Sequence, residues 1–369
     1  MASFAFTRPA RSFHNGGTGT CGNCHSMHEG SSGGSLLLAS DPSSVCLNCH
    51  AGPGGVDSPD IYSADGSALT PGGDFYWLTK TFSWDGGSSS GDSHGHNVIA
   101  RDFNLQQDLR HSYSPGGYYP SADLSCISCH DPHGQIAGGT SKGRPPVSVS
   151  GSYGELPAAG TISGNYRLLG DSYYQTSSGY QFTHDAPVAR QNKSRPFGET
   201  DVSHVDYGAG MSQWCANCHA DMLSASHQIE VDGFAHPSGS YGLLTSSTID
   251  MYNSYVKTGD LTGNSTNAYL QFVPFERGTS DSQQLDPLGT SGPGTNSQVL
   301  CLTCHRAHAS AFRAIGRWDL DVDLLANSHP SEGDGGVTGN DVYYSYYGRD
   351  IVTEFGSSQG PFCEKCHGW

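Results

Sequence analysis

A loop-rich, mostly irregular chain with a few short helices and minimal strand is the fold class this sequence predicts, on two observations. The first is a motif, Cys-x-x-Cys-His, that occurs six times: Cys21–His25, Cys46–His50, Cys126–His130, Cys215–His219, Cys301–His305 and Cys363–His367. The six copies use all twelve cysteines: Cys21, Cys24, Cys46, Cys49, Cys126, Cys129, Cys215, Cys218, Cys301, Cys304, Cys363 and Cys366. This spacing is the attachment site of a c-type haem, in which two thiols add to the porphyrin vinyl groups and the adjoining imidazole reaches the iron from one face. The second observation is composition. Apolar residues are only 35% of the 369, and 50 residues are glycine. Such a chain carries too little side chain to offset its own conformational entropy. Six flat macrocycles would supply the missing interior. The expected class is therefore a multihaem cytochrome c wrapped around a chain of six haems.

Two other uses of paired cysteines compete with this reading. Three four-cysteine zinc sites would consume twelve cysteines, and secreted disulfides would do the same. Neither calls for a histidine directly after every pair. A disordered low-complexity chain is disfavoured by the evenly scattered Tyr, Phe and Trp.

Taken in order, residues 1–12 read as an N-terminal extension and 13–369 as a single hexahaem unit. From Phe13 to Ala51, two motifs are separated by a short Gly/Ser loop, which brings the first two haems close. Gly52 to Leu124 is a long connection with turn signals at Pro71-Gly72-Gly73 and Asp85-Gly86-Gly87, and with a short predicted strand, Phe75-Tyr76-Trp77-Leu78. Gly134 to Gly210 has no helical period. Helix is expected over Met211–Ser226, over Thr248–Lys257 with a stop at Gly259, and most strongly over Leu300–Trp318, where Phe312, Ile315 and Trp318 recur at helical spacing. The sixth motif ends two residues before the last residue.

Charge and hydropathy narrow the function. The formal net charge is −17 before haem propionates are counted, which makes nucleic acid an unsuitable partner and suits cationic or metallic electron acceptors. No run of about 18 apolar residues exists, so no helical membrane span is expected. Met1 to Ser12 lacks an apolar h-region. Haem attachment takes place in an exported, oxidising compartment, so a removed or omitted leader is expected.

The histidines set the coordination. Six proximal ligands, His25, His50, His130, His219, His305 and His367, leave twelve others, and six haems with two axial ligands each need six of these. His28, His133 and His308 stand out, each three residues after a proximal histidine. On a helical turn such residues lie side by side. A near neighbour of the proximal histidine cannot easily reach the far face of the same macrocycle, but it can reach the iron of a second haem packed alongside. Iron with two histidines is coordinatively full, so it shuttles electrons and offers no vacant site for catalysis. No enzyme activity is expected.

Blocks between the motifs carry a resemblance. They include Phe13-His14-Asn15-Gly16-Gly17, the stretch from Cys21 to His28, Pro71-Gly72-Gly73-Asp74-Phe75, Gly95-His96-Asn97 and Cys129-His130-Asp131-Pro132-His133-Gly134. Further on come Gly210-Met211-Ser212 before Trp214-Cys215, Tyr252-Asn253-Ser254-Tyr255, Cys304 to Ser310, and Tyr347-Gly348-Arg349. In this order, from Phe13 onward, the chain resembles the hexahaem extracellular cytochromes of metal-reducing bacteria, the filament-forming nanowire family. Residues 1–12 and the lengths of the Gly/Ser connections depart from it.

The resemblance implies a distal ligand set of His14, His28, His96, His133, His236 and His308, and leaves His94, His111, His184, His204, His227 and His329 in ordinary roles. It implies six covalent haem c groups and a secreted, extracellular homopolymer that carries respiratory electrons. Periplasmic or outer-membrane cytochromes would be its donors, and extracellular metal oxides or electrodes its acceptors. It also implies that His28 crosses the subunit boundary to the fifth-motif haem, pairing with His305 of the partner subunit. The alternative is a monomeric multihaem shuttle or surface metal reductase. A structural adaptor with haems acting as core is a third class.

Overall fold

The computed structural model describes residues 21–26, 36–52, 59–132, 169–172, 174–192, 198–223 and 236–368. Loops and single turns dominate it. Five short α-helices are present among these residues: α1 (Pro42–His50), α2 (Met211–Cys215), α3 (Ser246–Ser254), α4 (Asp341–Ser345) and α5 (Ile351–Phe355). Two antiparallel hairpins complete the regular structure, β1 (Phe82–Trp84) with β2 (Gly87–Ser89), and β3 (Val188–Gln191) with β4 (Val205–Ala209). The expected fold class holds.

The helices are short because capping, not an apolar stripe, starts them. Asp41 accepts from Ser44 N at 2.8 Å and Pro42 occupies the first turn of α1, where its missing N–H costs nothing. Asp41 also accepts from Arg101 N at 2.7 Å, tying the helix to a distant loop. Thr245 caps α3 in the same way.

Three expectations need correcting. Phe75–Thr79 is a 3-10 helix and not a strand. Asp74 caps it and buries three consecutive aromatic side chains, a demand that alternation of faces in a strand would not meet. Leu300–Trp318 is not a helix. It holds two 3-10 turns and a tight hairpin, because its apolar residues pack on different elements. Around the fourth motif, α2 gives way to a 3-10 turn at Ala220–Met222, and residues 224–226 lie outside the described residues. The helix predicted over Thr248–Lys257 exists but runs Ser246–Ser254, and α1 carries the second motif where no helix was expected.

The apolar interior is divided among the motifs. One cluster, with Phe272, Trp318 and Phe362 at its centre, packs against Cys304 and Cys366. A second joins Leu47 of α1 to Phe75, Trp77, Ala309 and Ala311. A third lies over β3 and β4 and meets Trp214 and Cys215. Each small core therefore borders haem motifs, as expected of a chain that shares its interior with cofactors.

One buried carboxylate organises the loop that matters most for the sites. Asp74 accepts from Ser63 N, Ser63 Oγ, Ala68 N and Tyr76 N at 2.5–3.1 Å. Asp74→Ala would strand several buried donors at once, so it should lower the unfolding free energy by about 3 kcal/mol. Guanidinium titration followed by far-UV dichroism measures this, and a change within error would refute it.

Candidate haem sites

Each motif is a single helical turn. The histidine N–H donates to the first cysteine carbonyl in His130→Cys126, His219→Cys215, His305→Cys301 and His367→Cys363, at 3.0–3.1 Å, and Cys46–His50 lies within α1. In such a turn the two cysteines, three apart, and the histidine, one further on, face the same side. Two thiols and an imidazole presented together fit the edge and iron of one porphyrin. Among the described residues, no three Cys, His, Asp or Glu side chains converge as a zinc site would require.

Three odd-numbered motifs share one frame. The bridges His25↔Leu37, His130↔Leu169 and His305↔Gly316 are all antiparallel. In each, the second cysteine's carbonyl accepts from the residue after the bridge, as Leu38 N→Cys24 O, Gly170 N→Cys129 O and Arg317 N→Cys304 O, at 2.8–3.0 Å. The second and fourth motifs share another feature. Ser43 and Ser212, each three residues before a first cysteine, accept from Cys126 N and Cys301 N at 3.1 Å. Thiols of successive motifs are neighbours: Cys46 contacts Cys126, and Cys215 contacts Cys301. The second and third motifs, and the fourth and fifth, are thus adjacent in space.

The histidines pair across the chain. His96 stands opposite His219 with ring centroids 5.9 Å apart, His130 opposite His308 at 6.4 Å, and His236 opposite His367 at 6.0 Å. Imidazole nitrogens about 2 Å from a shared metal, on opposite sides, place ring centroids about 6 Å apart. Each pair joins one motif histidine to one of the three described candidates for distal ligand. His14, His28 and His133 lie outside the described residues.

The second nitrogen of several rings is also arranged for ligation. Nδ1 donates to a backbone carbonyl in His50 (Pro59 O, 3.0 Å), His96 (Ala307 O, 2.8 Å), His219 (Pro115 O, 2.7 Å), His236 (Pro237 O, 2.7 Å) and His305 (Ala314 O, 2.7 Å). That bond fixes the tautomer with a bare Nε2, the ligating form, and orients the ring. Burial pushes His219 down to about 4 and lowers His96, His305 and His367 as well, so these imidazoles are neutral at pH 7.

The other described histidines have different surroundings. His94 is buried with both nitrogens bonded, to Ser89 Oγ and Trp77 O. His329 bonds Asp334 at 2.7 Å and stacks on Trp84 with centroids 4.0 Å apart. His204 is buried against the Tyr269 ring, 3.6 Å between centroids. His111 is exposed and His184 half-buried, and His227 lies outside the described residues.

His308 is positioned by strand-like crossings and not by the helical turn that its spacing suggested. Residues 307–310 are extended and sandwiched. On one side His96 N donates to His308 O at 2.9 Å, and Ser310 N to His94 O at 3.0 Å. On the other, Ala307 N and His308 N donate to Gly72 O, and Asp74 N donates to Ala309 O. One strand crossing therefore fixes two distal candidates, His96 and His308. Gly72 and Gly73 are required there. A Cβ on Gly72 would lie 2.9 Å from His308 Nδ1, and one on Gly73, at φ +99°, would collide with the Ala309 carbonyl. Phe75 stacks on the His308 ring at 4.9 Å. Sequence reasoning saw only a turn at Pro71-Gly72-Gly73; two adjacent glycines outside a hairpin were the available sign of close backbone approach.

Comparison with known proteins follows the geometry. The chain is 36% identical over 420 residues to the C-type cytochrome OmcS of Geobacter sulfurreducens, covering 99% of this chain and 96% of that protein. The fold is similar to the cryo-EM structure of the OmcS nanowires from that organism, with a TM-score of 0.78 and 36% identity, covering 96% of this chain and 99% of the other. A second structure, the outer membrane cytochrome S filament of the same organism, gives 0.79 and 35% with the same coverage. No family model matches the chain.

The carbonyl that holds His305 comes from a strained turn. Gly316 N donates to Arg313 O at 3.2 Å around Ala314 and Ile315, whose φ values are +54° and +59°. These are the central positions of a primed turn, which favours Asn-Gly. Each left-handed non-glycine residue costs about 1–2 kcal/mol. The double substitution Ala314→Asn/Ile315→Gly should therefore stabilise the protein by about 1–2 kcal/mol and leave the haem spectrum unchanged. Thermal unfolding and absorbance spectra check both halves.

Proposed function

The chain belongs to the OmcS family of c-type cytochromes, and from that membership we propose that it is an extracellular electron-transfer protein that polymerises into a conductive filament. The observation that carries this is the match of fold over 99% of a chain solved as a filament. Haem c, when bound, supplies a one-electron ferric/ferrous couple. The chain's own residues tether it through paired cysteines, orient its axial imidazoles through backbone carbonyls, and enclose it in small apolar cores. Six haems are assigned, one to each motif. Periplasmic or outer-membrane cytochromes would feed the filament, and metal oxides or electrodes would drain it.

We assign the axial pairs by a pattern that the three described pairs support. The motifs form three two-haem units, first–second, third–fourth and fifth–sixth. A histidine upstream of each unit's odd motif serves its even haem: His96 faces His219, and His236 faces His367. By the same rule His14 serves the His50 haem. The histidine three residues beyond each odd motif serves the odd haem one unit earlier: His308 faces His130. By that rule His133 serves the His25 haem. The same reach continued past the first unit takes His28 to the His305 haem of the partner subunit, which is the crossing the family resemblance implies.

Electron microscopy of the purified protein tests the assembly. Ordered thin filaments are expected, whereas monodisperse particles would favour a monomeric shuttle. His28→Ala should retain six haems, expose one high-spin iron and weaken polymerisation. His308→Ala should also expose one high-spin iron, while filaments persist. Electron paramagnetic resonance and microscopy of both variants decide the matter: normal filaments with six low-spin haems in His28→Ala would sink the assignment.

A further inference from the structure

Beneath the fifth motif lies a charged cluster that no part of the ligand set requires. Glu199 Oε2 accepts from Arg306 Nη1 at 2.9 Å and from Arg317 Nη1 at 2.8 Å, with all three side chains at most 1% exposed. Arg306 directly follows His305. Arg317 Nε donates to two motif carbonyls, Leu302 O at 2.6 Å and His305 O at 3.2 Å, and its own N–H donates to Cys304 O. The remaining partners are neutral. Arg306 Nη1 reaches Pro71 O, Arg317 Nη1 reaches Gln271 O, and the Arg306 guanidinium lies 3.3 Å from the centre of the Tyr347 ring.

One carboxylate faces two guanidiniums, so the cluster carries one net positive charge in a buried position. Burial alone would raise Glu199, but the charges of Arg317 and Arg306 outweigh it and hold the carboxyl below its ordinary value. Glu199 Oε1 and the Nη2 atoms of Arg306 and Arg317 have no hydrogen-bond partner among the described residues. A triad so incompletely bonded is weak evidence of a stabilising role, because desolvation can exceed the attraction. Its position beside the motif carbonyls suggests an electrostatic one.

We propose that Glu199, Arg306 and Arg317 are the residues that set the reduction potential of the fifth-motif haem, raising it by placing one uncompensated positive charge against the Cys301–His305 loop. Adding an electron lowers the charge of the haem by one, and a nearby buried cation favours that state. Burial of all three side chains, at most 1% exposed, lowers the local dielectric and limits screening. The inference rests on the fifth motif holding a haem, as assigned above.

Three holo-protein variants test it through the sign of the change. Glu199→Gln raises the cluster to two positive charges, and one haem's share of the spectroelectrochemical titration should move to higher potential. Arg306→Gln lowers it to zero, and the same share should move to lower potential. The double variant Glu199→Gln/Arg306→Gln restores one net charge with only Arg317 left, so its titration should return close to the parent's. If Arg306→Gln fails to fold, the sign of the Glu199→Gln shift still decides: a move to lower potential, or none, overturns the inference. Shifts of the same sign in all variants, a double variant displaced further than either single one, or no shift with six haems attached would each overturn the inference. Haem counting by mass on the parent protein separates this from the earlier reading: fewer than six attached haems would refute the six-site assignment, not the electrostatics.

Discussion

Two imidazoles that share one iron must stand about 6 Å apart on opposite sides of a flat ring, and this spacing governs how the chain is laid out. A motif delivers its proximal histidine locally, within one turn. The opposing histidine has to come from somewhere else, and the partners proposed above come from far away in sequence: His96 lies near His219, and His308 near His130. Long irregular connections are what such delivery needs. Regular elements would carry side chains at fixed periods along an axis, whereas each distal histidine must be set at one point. The strand crossing of residues 94–97 with 307–310, wedged by Gly72 and Gly73, shows how a loop-built protein reaches that accuracy. Its backbone bonds replace a helix or sheet as the rigid support, and it sets two sites together.

The motifs and the class of fold were legible because the covalent chemistry of haem c permits few other residues. The three corrected elements were misread for a common reason. In Leu300–Trp318 the apolar residues recur at helical spacing, yet Leu300 and Leu302 pack in one cluster, Ala309 and Ala311 in a second, and Phe312 and Trp318 in a third. Periodicity reports a face only when that face meets one surface. Here the chain bends between several cores, so the spacing had no single face to describe. The pairing of histidines was not legible either, since it depends on tertiary crossings. Carbonyl partners such as Ala307 O and Pro115 O carry no signature in side-chain identity.

Buried charge near the motifs also follows from the shared interior. A haem core tolerates polar groups at its margin provided they are bonded, and Lys365, inside the sixth motif, shows the usual solution. Its Nζ donates to Tyr252 O and Tyr255 O and lies over the Tyr252 ring, and burial brings it down to about 8. The fifth motif departs from that solution. Glu199 takes one bond from each of two arginines with the same oxygen, and its other oxygen has no partner among the described residues. Both sites thus bury a cation beside a motif, one held by carbonyls alone and the other set against a carboxylate.

The three-unit pattern bears on how such a chain assembles. Within the subunit, the histidine beyond an odd motif reaches back to the preceding unit, as His308 does to His130. If the same reach continues at the first unit, the joint between subunits repeats the joint between units inside one subunit. Polymer growth then needs no specialised apolar interface. A surface with a net charge of −17 and abundant glycine offers little contiguous apolar area for one, and like-charged subunits repel at long range. A metal–imidazole bond is short and directional, so it fixes register where diffuse contacts would not. It also links assembly to redox competence, because the site that joins two subunits is a site that must be six-coordinate to pass electrons without binding anything else.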